Sequence, residues 1–83
     1  MAIRLHSHAK ARLTERGATL EEVTETVKEG EISPANLGRT RFRRNFVYND
    51  LWRGRLYATK QVEVIAVRDR DEVLVLTVIT RYF

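Results

Sequence analysis

The stretch that determines the fold is residues 62–80, VEVIAVRDRDEVLVLTVIT. It contains two runs rich in β-branched residues, 62–67 and 73–80, and the charged segment 68–72 joins them. Two such runs around a short polar connection predict an antiparallel β-hairpin. Because both runs are almost continuously apolar, we expect cover on both faces, with helices on one face and a ligand or a second subunit on the other.

Upstream of this hairpin the sequence again alternates with a period of two. In residues 39–48 the aromatic residues Phe42, Phe46 and Tyr48 alternate with polar positions, which predicts a strand that packs one face against the core. Asn49-Asp50 predicts a turn after that strand. A further strand is expected over residues 51–59, although Gly54 weakens that expectation.

Two helices are expected before Pro34. The first is predicted from about Ser7 to Arg16, with Ser7 able to cap its free N–H groups. Gly17 then favours the left-handed conformation that ends many helices. The second helix is predicted over residues 20–29, and Gly30 ends it.

The second helix has the clearer start. Thr19 and Glu22 have the spacing of a capping box, in which each side chain binds a backbone N–H of the other residue. Its apolar stripe is expected to consist of Leu20, Val23 and Val27. The acidic residues opposite that stripe are expected to be solvated; they are Glu22, Glu25 and Glu29.

These elements predict an α+β fold in which two N-terminal helices pack on an antiparallel sheet of three to four strands. We expect one domain over residues 1–83, because 83 residues are too few for a second folding unit. With no cysteine and two histidines, the chain offers neither a disulfide nor a thiolate metal site, and no cofactor is expected. No stretch is typical of a signal peptide or a membrane span, which favours a cytoplasmic protein without a membrane partner.

The positive charge of the chain is concentrated in one segment. The net charge is +4, yet residues 39–60 hold seven basic side chains and one acidic side chain, a net +6, while the segments before and after are each −1. A local excess of this size attracts polyanions and makes their binding depend on salt. The alternative is a solvated arginine-rich edge strand that prevents sheet aggregation.

RNA is the polyanion that we expect as partner. The candidate nucleic-acid contacts are the basic residues of the charged segment: Arg39, Arg41, Arg43, Arg53, Arg55 and Lys60. Trp52 and Tyr57 are candidates for stacking on unpaired bases, as proteins that bind single strands require. Phe42 and Phe46 are expected in the core instead.

A second candidate site lies on the first helix. His8, Arg12 and Arg16 follow i, i+4, i+8 spacing and form one row beside the apolar face, from which they can meet a phosphate in a groove next to the sheet. The alternative is structural. In that case His8 caps or buttresses the helix and Arg12 pairs with Glu15. Arg16 then binds the C-terminal carbonyls of its own helix.

The C-terminal residues offer two further candidates. Arg81 and Tyr82 are neighbours at the end of the last strand, so their side chains are expected on opposite faces and one of them can reach the site. Alternatively, Tyr82 or Phe83 seals the end of the core.

Both helices and the last strand resemble a known family. The run His8-Ala9-x-x-Arg12-x-x-Glu15-Arg16-Gly17, followed by Thr19-x-Glu21-Glu22-Val23, resembles the N-terminal signature of the family called domain of unknown function 4258. Residues 75–80, VLTVIT, resemble its terminal strand. The resemblance implies the compact fold grouped with barnase, EndoU, colicin and RelE-type RNases, and many members of that grouping are toxins that cut RNA.

For this chain the resemblance implies metal-independent cleavage of RNA by transesterification. His8 is the implied base for the ribose 2′-hydroxyl, and Arg12 and Arg16 would stabilise the charge that develops on the phosphate. Arg81 or Tyr82 would supply the proton for the leaving group.

Three functions stay open from the sequence. The first is an RNase, such as the toxin of a pair with an acidic antitoxin protein. The second is a non-catalytic RNA-binding module that uses the basic strands. The third is a homodimer or an adaptor, in which the apolar hairpin forms the interface and the arginines only keep the chain in solution.

Overall fold

The computed structural model describes residues 2–83, in which two helices pack on one face of a five-stranded mixed sheet. The strand order is β1-β5-β4-β3-β2; β1 is parallel to β5 and the other pairs are antiparallel. The elements are β1 (Ala2–Leu5), α1 (Ser7–Arg16), α2 (Leu20–Glu29), β2 (Glu31–Pro34), a 3₁₀ turn (Asn36–Gly38), β3 (Thr40–Trp52), β4 (Arg55–Asp69) and β5 (Glu72–Tyr82).

The expected antiparallel sheet of three to four strands behind two N-terminal helices is wrong. The chain enters the sheet through β1 before either helix, and β2 adds a second edge after α2. Both edge strands are only four residues long, which is too short for a period-two pattern to stand out. In β1 only Ile3 and Leu5 pack against the core.

The hairpin of β4 and β5 is confirmed. Its two strands pair from Asp69 and Glu72 to Lys60 and Tyr82, so the turn is shorter than the predicted charged segment. The bulge in this ladder lies next to Ile65.

The predicted turn at Asn49-Asp50 is wrong, because β3 continues through it. The register of β3 on β4 shifts there, and Asn49 has a positive φ of 46°, as in a β-bulge. The chain reverses at Arg53 and Gly54, whose φ values of 50° and 83° give the twist of a two-residue hairpin turn. Gly54 therefore ends the strand rather than weakening its middle.

Helix α1 has the predicted bounds but a different cap. Nδ1 of His6 accepts a hydrogen bond from the backbone N of His8 at 3.2 Å, and Ser7 is already helical. At the other end Gly17 has a φ of 70°, and its N–H bonds back to the last turn.

Helix α2 begins with the predicted capping box. Oγ1 of Thr19 accepts from the N of Glu22 at 3.1 Å, and the Glu22 carboxylate accepts from the N of Thr19 at 2.9 Å. Val23 and Val27 are buried as expected, whereas Leu20 is 56% exposed. Thr26 completes the buried stripe. Its hydroxyl donates a hydrogen bond to the carbonyl of Glu22 at 2.7 Å, so the buried polar group has a partner.

Gly30 ends α2 in an extended conformation, with a φ of −74°. A Cβ at this position would lie 2.5 Å from the carbonyl oxygen of Thr26 and 2.7 Å from that of Arg43. Glycine is therefore needed here for the close approach of β3, not for a left-handed backbone.

The core lies between the helices and the sheet and is built mainly from valine. Phe42 is 2% exposed and Phe46 packs against the cluster, as expected. Each fully buried valine stabilises the fold by about 1.5–3 kcal/mol before entropy is subtracted. The buried apolar residues are Ala9, Ala18, Val23, Val27, Phe42, Val62, Val64, Ala66, Val73, Val75 and Val78.

Gly17→Ala is expected to lower the free energy of unfolding by about 2–4 kcal/mol, from a left-handed backbone and an over-packed contact. The new Cβ would overlap the Tyr82 hydroxyl and lie 2.5 Å from Cζ3 of Trp52. Gly38→Ala is the control, because Gly38 has a φ of 71° and no atom near its Cβ position. It should cost only about 1–2 kcal/mol in the same urea titration. Equal losses of unfolding free energy in both variants would contradict the close packing of Gly17 against Tyr82 and Trp52.

Candidate functional site

The C-terminal end of α1 rests on the sheet, and sheet side chains satisfy its last carbonyls. A helix leaves its final carbonyl oxygens without partners in the helix, so these bonds replace water where the helix meets the core. The bonds run from Arg53 to the carbonyl of Glu15 (3.1 Å), from Thr80 and Tyr82 to that of Arg16 (2.7 and 3.0 Å) and from Lys60 to that of Gly17 (2.8 Å).

Lys60, a predicted nucleic-acid contact, lies inside this junction. It is 6% exposed, its Nζ is 2.9 Å from Oε2 of Glu22, and it sits 5.0 Å from the ring centroid of Tyr48. Glu22 is correspondingly sheltered, which corrects its expected solvation. Lys60 therefore holds β4 to the start of α2 and does not face a surface ligand.

His8, Arg12 and Arg16 border one small cleft of about 30 Å³ against residues 76–78 of β5. Arg12 pairs with Glu15 at 3.9 Å, which is the structural alternative from the sequence. The Arg16 guanidinium donates to the carbonyl of Val78 on β5, not to its own helix. His8 is exposed, and among residues 2–83 its imidazole has no hydrogen-bond partner.

Arg81 and Tyr82 lie on opposite faces of the sheet, as expected. Nη1 of Arg81 is 3.6 Å from Oε1 of Glu63, on the face away from the helices. Tyr82 faces α1 and bonds to the carbonyl of Arg16. Arg81 is therefore separated from His8 by the sheet itself.

Tyr82 is also the centre of an aromatic cluster. Its ring stacks on Trp52 with a centroid distance of 4.7 Å and an interplanar angle of 14°. Tyr48 meets it edge-on at 5.3 Å, and Tyr57 is tilted at 5.8 Å. Tyr82 thus closes this end of the core, the alternative role considered for it.

Beside the cluster is an open cleft of about 280 Å³, the hairpin-end cleft, at the end of the β3–β4 hairpin. The Arg53 guanidinium lies 5.0 Å from the centroid of Trp52, and that of Arg55 lies 5.8 Å from the centroid of Tyr57. Within the described part of the chain neither arginine pairs with a carboxylate. The cleft is lined by Glu15, Arg16, Trp52, Arg53, Ile79, Thr80 and Tyr82.

The other predicted strand arginines are arranged differently. Arg39 is exposed, without an ion pair among residues 2–83, at the opposite end of β3. Its neighbours on β3 are paired: Arg41 with Glu63 (3.6 Å), Arg43 with Glu31 (3.6 Å) and Arg44 with Glu29 and Glu25 (3.0 and 3.9 Å). The two pairs of Arg44, with Glu29 and with Glu25, correct the expectation that these acidic residues of α2 are only solvated.

Two residues of these hydrogen-bond and ion-pair networks, Glu63 and Thr80, were not predicted as site residues from the sequence. Glu63 is an isolated acid in an apolar strand, a pattern that signals a paired charge, yet its partners come from the neighbouring strands. Thr80 gave no signal beyond its place in the last strand. Its role depends on where α1 ends in space.

Burial is the largest cause that raises the pKa of Tyr82 above that of an ordinary tyrosine, and the nearby Tyr48 raises it further. The phenol therefore stays protonated at neutral pH and donates to the carbonyl of Arg16.

Comparison of the chain with protein-family models, with curated proteins and with solved structures finds no match. Among residues 2–83, no group of three or more His, Cys, Asp or Glu side chains is placed to hold a metal ion. No helix in the described range has the length and apolar character needed to cross a membrane.

Tyr82→Phe is expected to lower the free energy of unfolding by about 1 kcal/mol at neutral pH, because the carbonyl of Arg16 loses a donor. The raised pKa means that the folded state holds the phenol proton more tightly than the unfolded state. The stability that the protonated phenol contributes is complete below about pH 10 and is lost as the pH rises through the pKa of Tyr82 in the folded state. The difference in free energy of unfolding between wild type and Tyr82→Phe should therefore become smaller at alkaline pH.

Urea titrations at about pH 8 and about pH 11 measure this gap. Tyr57→Phe is the matched control, because the hydroxyl of Tyr57 has no hydrogen-bond partner in the described residues. A Tyr82→Phe gap that does not change with pH would show that burial of this phenol is not coupled to stability.

Proposed function

We propose that the protein binds single-stranded RNA at the hairpin-end cleft. The observation that carries the proposal is the placement of Arg53 and Arg55, which lack carboxylate partners among residues 2–83, beside Trp52 and Tyr57. Guanidinium groups bind backbone phosphates, and aromatic rings stack on unpaired bases. Trp52 and Arg53 line the cleft, and Arg55 and Tyr57 follow on β4 beside it.

Charge compensation favours this cleft over the rest of the basic segment. Arg41, Arg43 and Arg44 each have a carboxylate within 3.6 Å, so their positive charge is largely cancelled. Lys60 is buried against Glu22. A polyanion gains most where cations are not already neutralised, because binding there releases counterions without breaking ion pairs.

The dimensions of the cleft favour an extended strand rather than an enclosed nucleotide. The cleft of about 280 Å³ is open to solvent, so a chain can pass through it without being enclosed. Trp52 is already stacked on Tyr82, so the half-exposed ring of Tyr57 is the freer platform for a base.

Arg53→Gln with Arg55→Gln is expected to weaken binding of a fluorescein-labelled single-stranded RNA. Two lost phosphate contacts, at roughly 0.7 each on a single strand, should make the slope of log K against log salt shallower by about 1.4. Fluorescence anisotropy over a salt series measures both quantities. A matched DNA strand tests how much the 2′-hydroxyl contributes.

The control is Arg68→Gln with Arg70→Gln, at the opposite hairpin turn. It removes the same charge, and Arg70 has a φ of 56°, close to the 50° of Arg53. This variant should bind RNA with nearly the wild-type slope. If both double variants weakened RNA binding equally, the effect would come from net charge alone, and binding at the cleft would be contradicted.

Metal-independent cleavage of RNA is the second candidate function. The observation that favours it is that His8, Arg12 and Arg16 border one cleft, and the resemblance to the family called domain of unknown function 4258 supports the same residues. In this proposal His8 takes the 2′-hydroxyl proton, the oxygen bonds to the adjacent phosphorus as the bond to the 5′-oxygen breaks, and the 5′-oxygen leaves with a proton taken from water. The engagement of Arg16 with Val78 and the distance of Arg81 from this cleft weigh against it.

His8→Ala is expected to abolish cleavage if this second function exists. Wild type and variant are incubated with end-labelled RNA in chelator, and a 2′,3′-cyclic phosphate end is the expected product of wild type alone. Equal cleavage by both proteins would exclude His8 as the base, and no cleavage by either would overturn this second function. A cytoplasmic location, as expected from the sequence, is compatible with either function.

A further inference from the structure

The two edge strands of the sheet differ in their protection against pairing with a further strand. On β2 the N–H of Ala35 bonds inward to the carbonyl of Arg39, so alternation directs Ile32 and Pro34 outward. Proline has no N–H to donate, which interrupts any ladder at that edge. β1 contains neither a proline nor a bulge. The edge of β1 is therefore the one that can accept another strand.

The outward backbone groups of β1 belong to Ile3 and Leu5. The N–H groups of Ala2 and His6 each donate at 2.8 Å to a carbonyl within residues 71–75, so the even-numbered residues face β5. Successive residues of a strand direct their N–H and C=O groups to opposite sides. The N–H and C=O of Ile3 and Leu5 therefore point to the outer edge, where no strand of residues 2–83 pairs with them.

An apolar groove of about 330 Å³, here called the edge groove, lies beside β1 on the helix side of the sheet. Leu20 at its border is 56% exposed, although the apolar stripe of α2 was expected to bury it. A strand added about 4.8 Å from β1 would place every second side chain over the groove and cover Leu20. The groove is lined by Ile3, Leu5, Lys10, Leu13 and Leu20.

We propose that an extended peptide segment of another protein pairs with β1 and places alternate apolar side chains in the edge groove. The backbone groups of Ile3 and Leu5 supply hydrogen bonds, and the groove selects the side chains, as in other cases of strand addition. One groove-facing side chain of the segment is a carboxylate. It complements Lys10, an exposed cation without a carboxylate partner among residues 2–83.

A second copy of this chain fits the edge of β1 less well. An antiparallel pairing that uses the outward groups of both Ile3 and Leu5 brings the two copies of Arg4 directly opposite each other. Like charges in that position destabilise a sheet, and the pair of Arg4 with Glu72, at 3.8 Å and largely exposed, compensates little of that charge.

RNA is also a poor occupant, because the edge groove offers one cation and no aromatic ring. Binding of a peptide at β1 therefore does not depend on the RNA binding proposed for the hairpin-end cleft.

Selection of phage-displayed decapeptides on the immobilised full chain tests the side-chain preference. Enriched sequences are expected to alternate Val, Ile or Leu with polar residues and to hold Asp or Glu at one position of the apolar register. On Lys10→Glu the acidic preference should change to Lys or Arg while the alternation persists. Lys28→Glu is the matched control, because it makes the same charge change at an exposed position outside the groove and should keep the acidic preference.

Amide hydrogen exchange followed by NMR tests the backbone pairing, with the tightest selected peptide as the probe. Saturating peptide should slow exchange at the N–H of Ile3 and Leu5 by roughly tenfold or more, because these groups gain acceptors. Leu20→Asp should weaken peptide binding by roughly tenfold or more, since it places a carboxylate in the apolar groove. Leu37→Asp should leave peptide binding unchanged, because Leu37 is 86% exposed outside the groove and its φ of 61° is one that aspartate tolerates.

The proposal is overturned if selection enriches no alternating sequence, or if Lys10→Glu keeps the acidic preference. Unchanged exchange at Ile3 and Leu5 in the complex would also overturn it, as would equal losses of affinity in Leu20→Asp and Leu37→Asp. Protection of these two amides that grows with the concentration of the chain alone would assign the edge to a second copy instead. Leu20→Asp should bind RNA like wild type, so the peptide and RNA proposals can fail separately.

Discussion

The rest of this structure depends on how the C-terminal end of α1 is held against the sheet. Four side chains from the sheet donate hydrogen bonds to the carbonyls of Glu15, Arg16 and Gly17. An unpaired carbonyl at a buried helix end costs about 1–3 kcal/mol, so these bonds fix the depth and angle of the helix. Gly17 makes the contact possible, because a side chain there would collide with Tyr82 and Trp52.

This junction decides which polar residues are left for a ligand. Lys60 and Tyr82 are used in holding the helix, and Arg16 donates to the carbonyl of Val78 on β5. Arg53 also donates to the carbonyl of Glu15, but its charge has no carboxylate partner among residues 2–83. Beyond the junction, ion pairs to α2, β2 and β4 occupy the arginines in the first half of β3. Among residues 2–83, the basic side chains of the 39–60 segment that lack a carboxylate partner are therefore Arg53 and Arg55 at the end of the β3–β4 hairpin and Arg39 at the opposite end of β3.

The fold thereby separates two surfaces with different physics. The hairpin-end cleft combines uncompensated guanidinium groups with aromatic rings, a combination suited to a polyanion whose bases can stack. The sheet face away from the helices carries the half-buried Ile65 and Ile79 beside an ion cluster in which Arg41 and Arg81 share the carboxylate of Glu63. The long hairpin links the two surfaces, because Val47 lies on the strand that leads to Trp52 and Arg53.

The sequence by itself determined the elements whose signals are local: the bounds of both helices, the Thr19–Glu22 capping box, the left-handed Gly17 and the β4–β5 hairpin. Hydrogen bonds within a few residues, backbone sterics and side-chain period control these features. Only the tertiary structure decided that β1 runs parallel to β5, that Lys60 is buried and that Glu63 has arginine partners. Those outcomes depend on contacts between residues far apart in the chain, and neither spacing nor composition specifies which strands become neighbours.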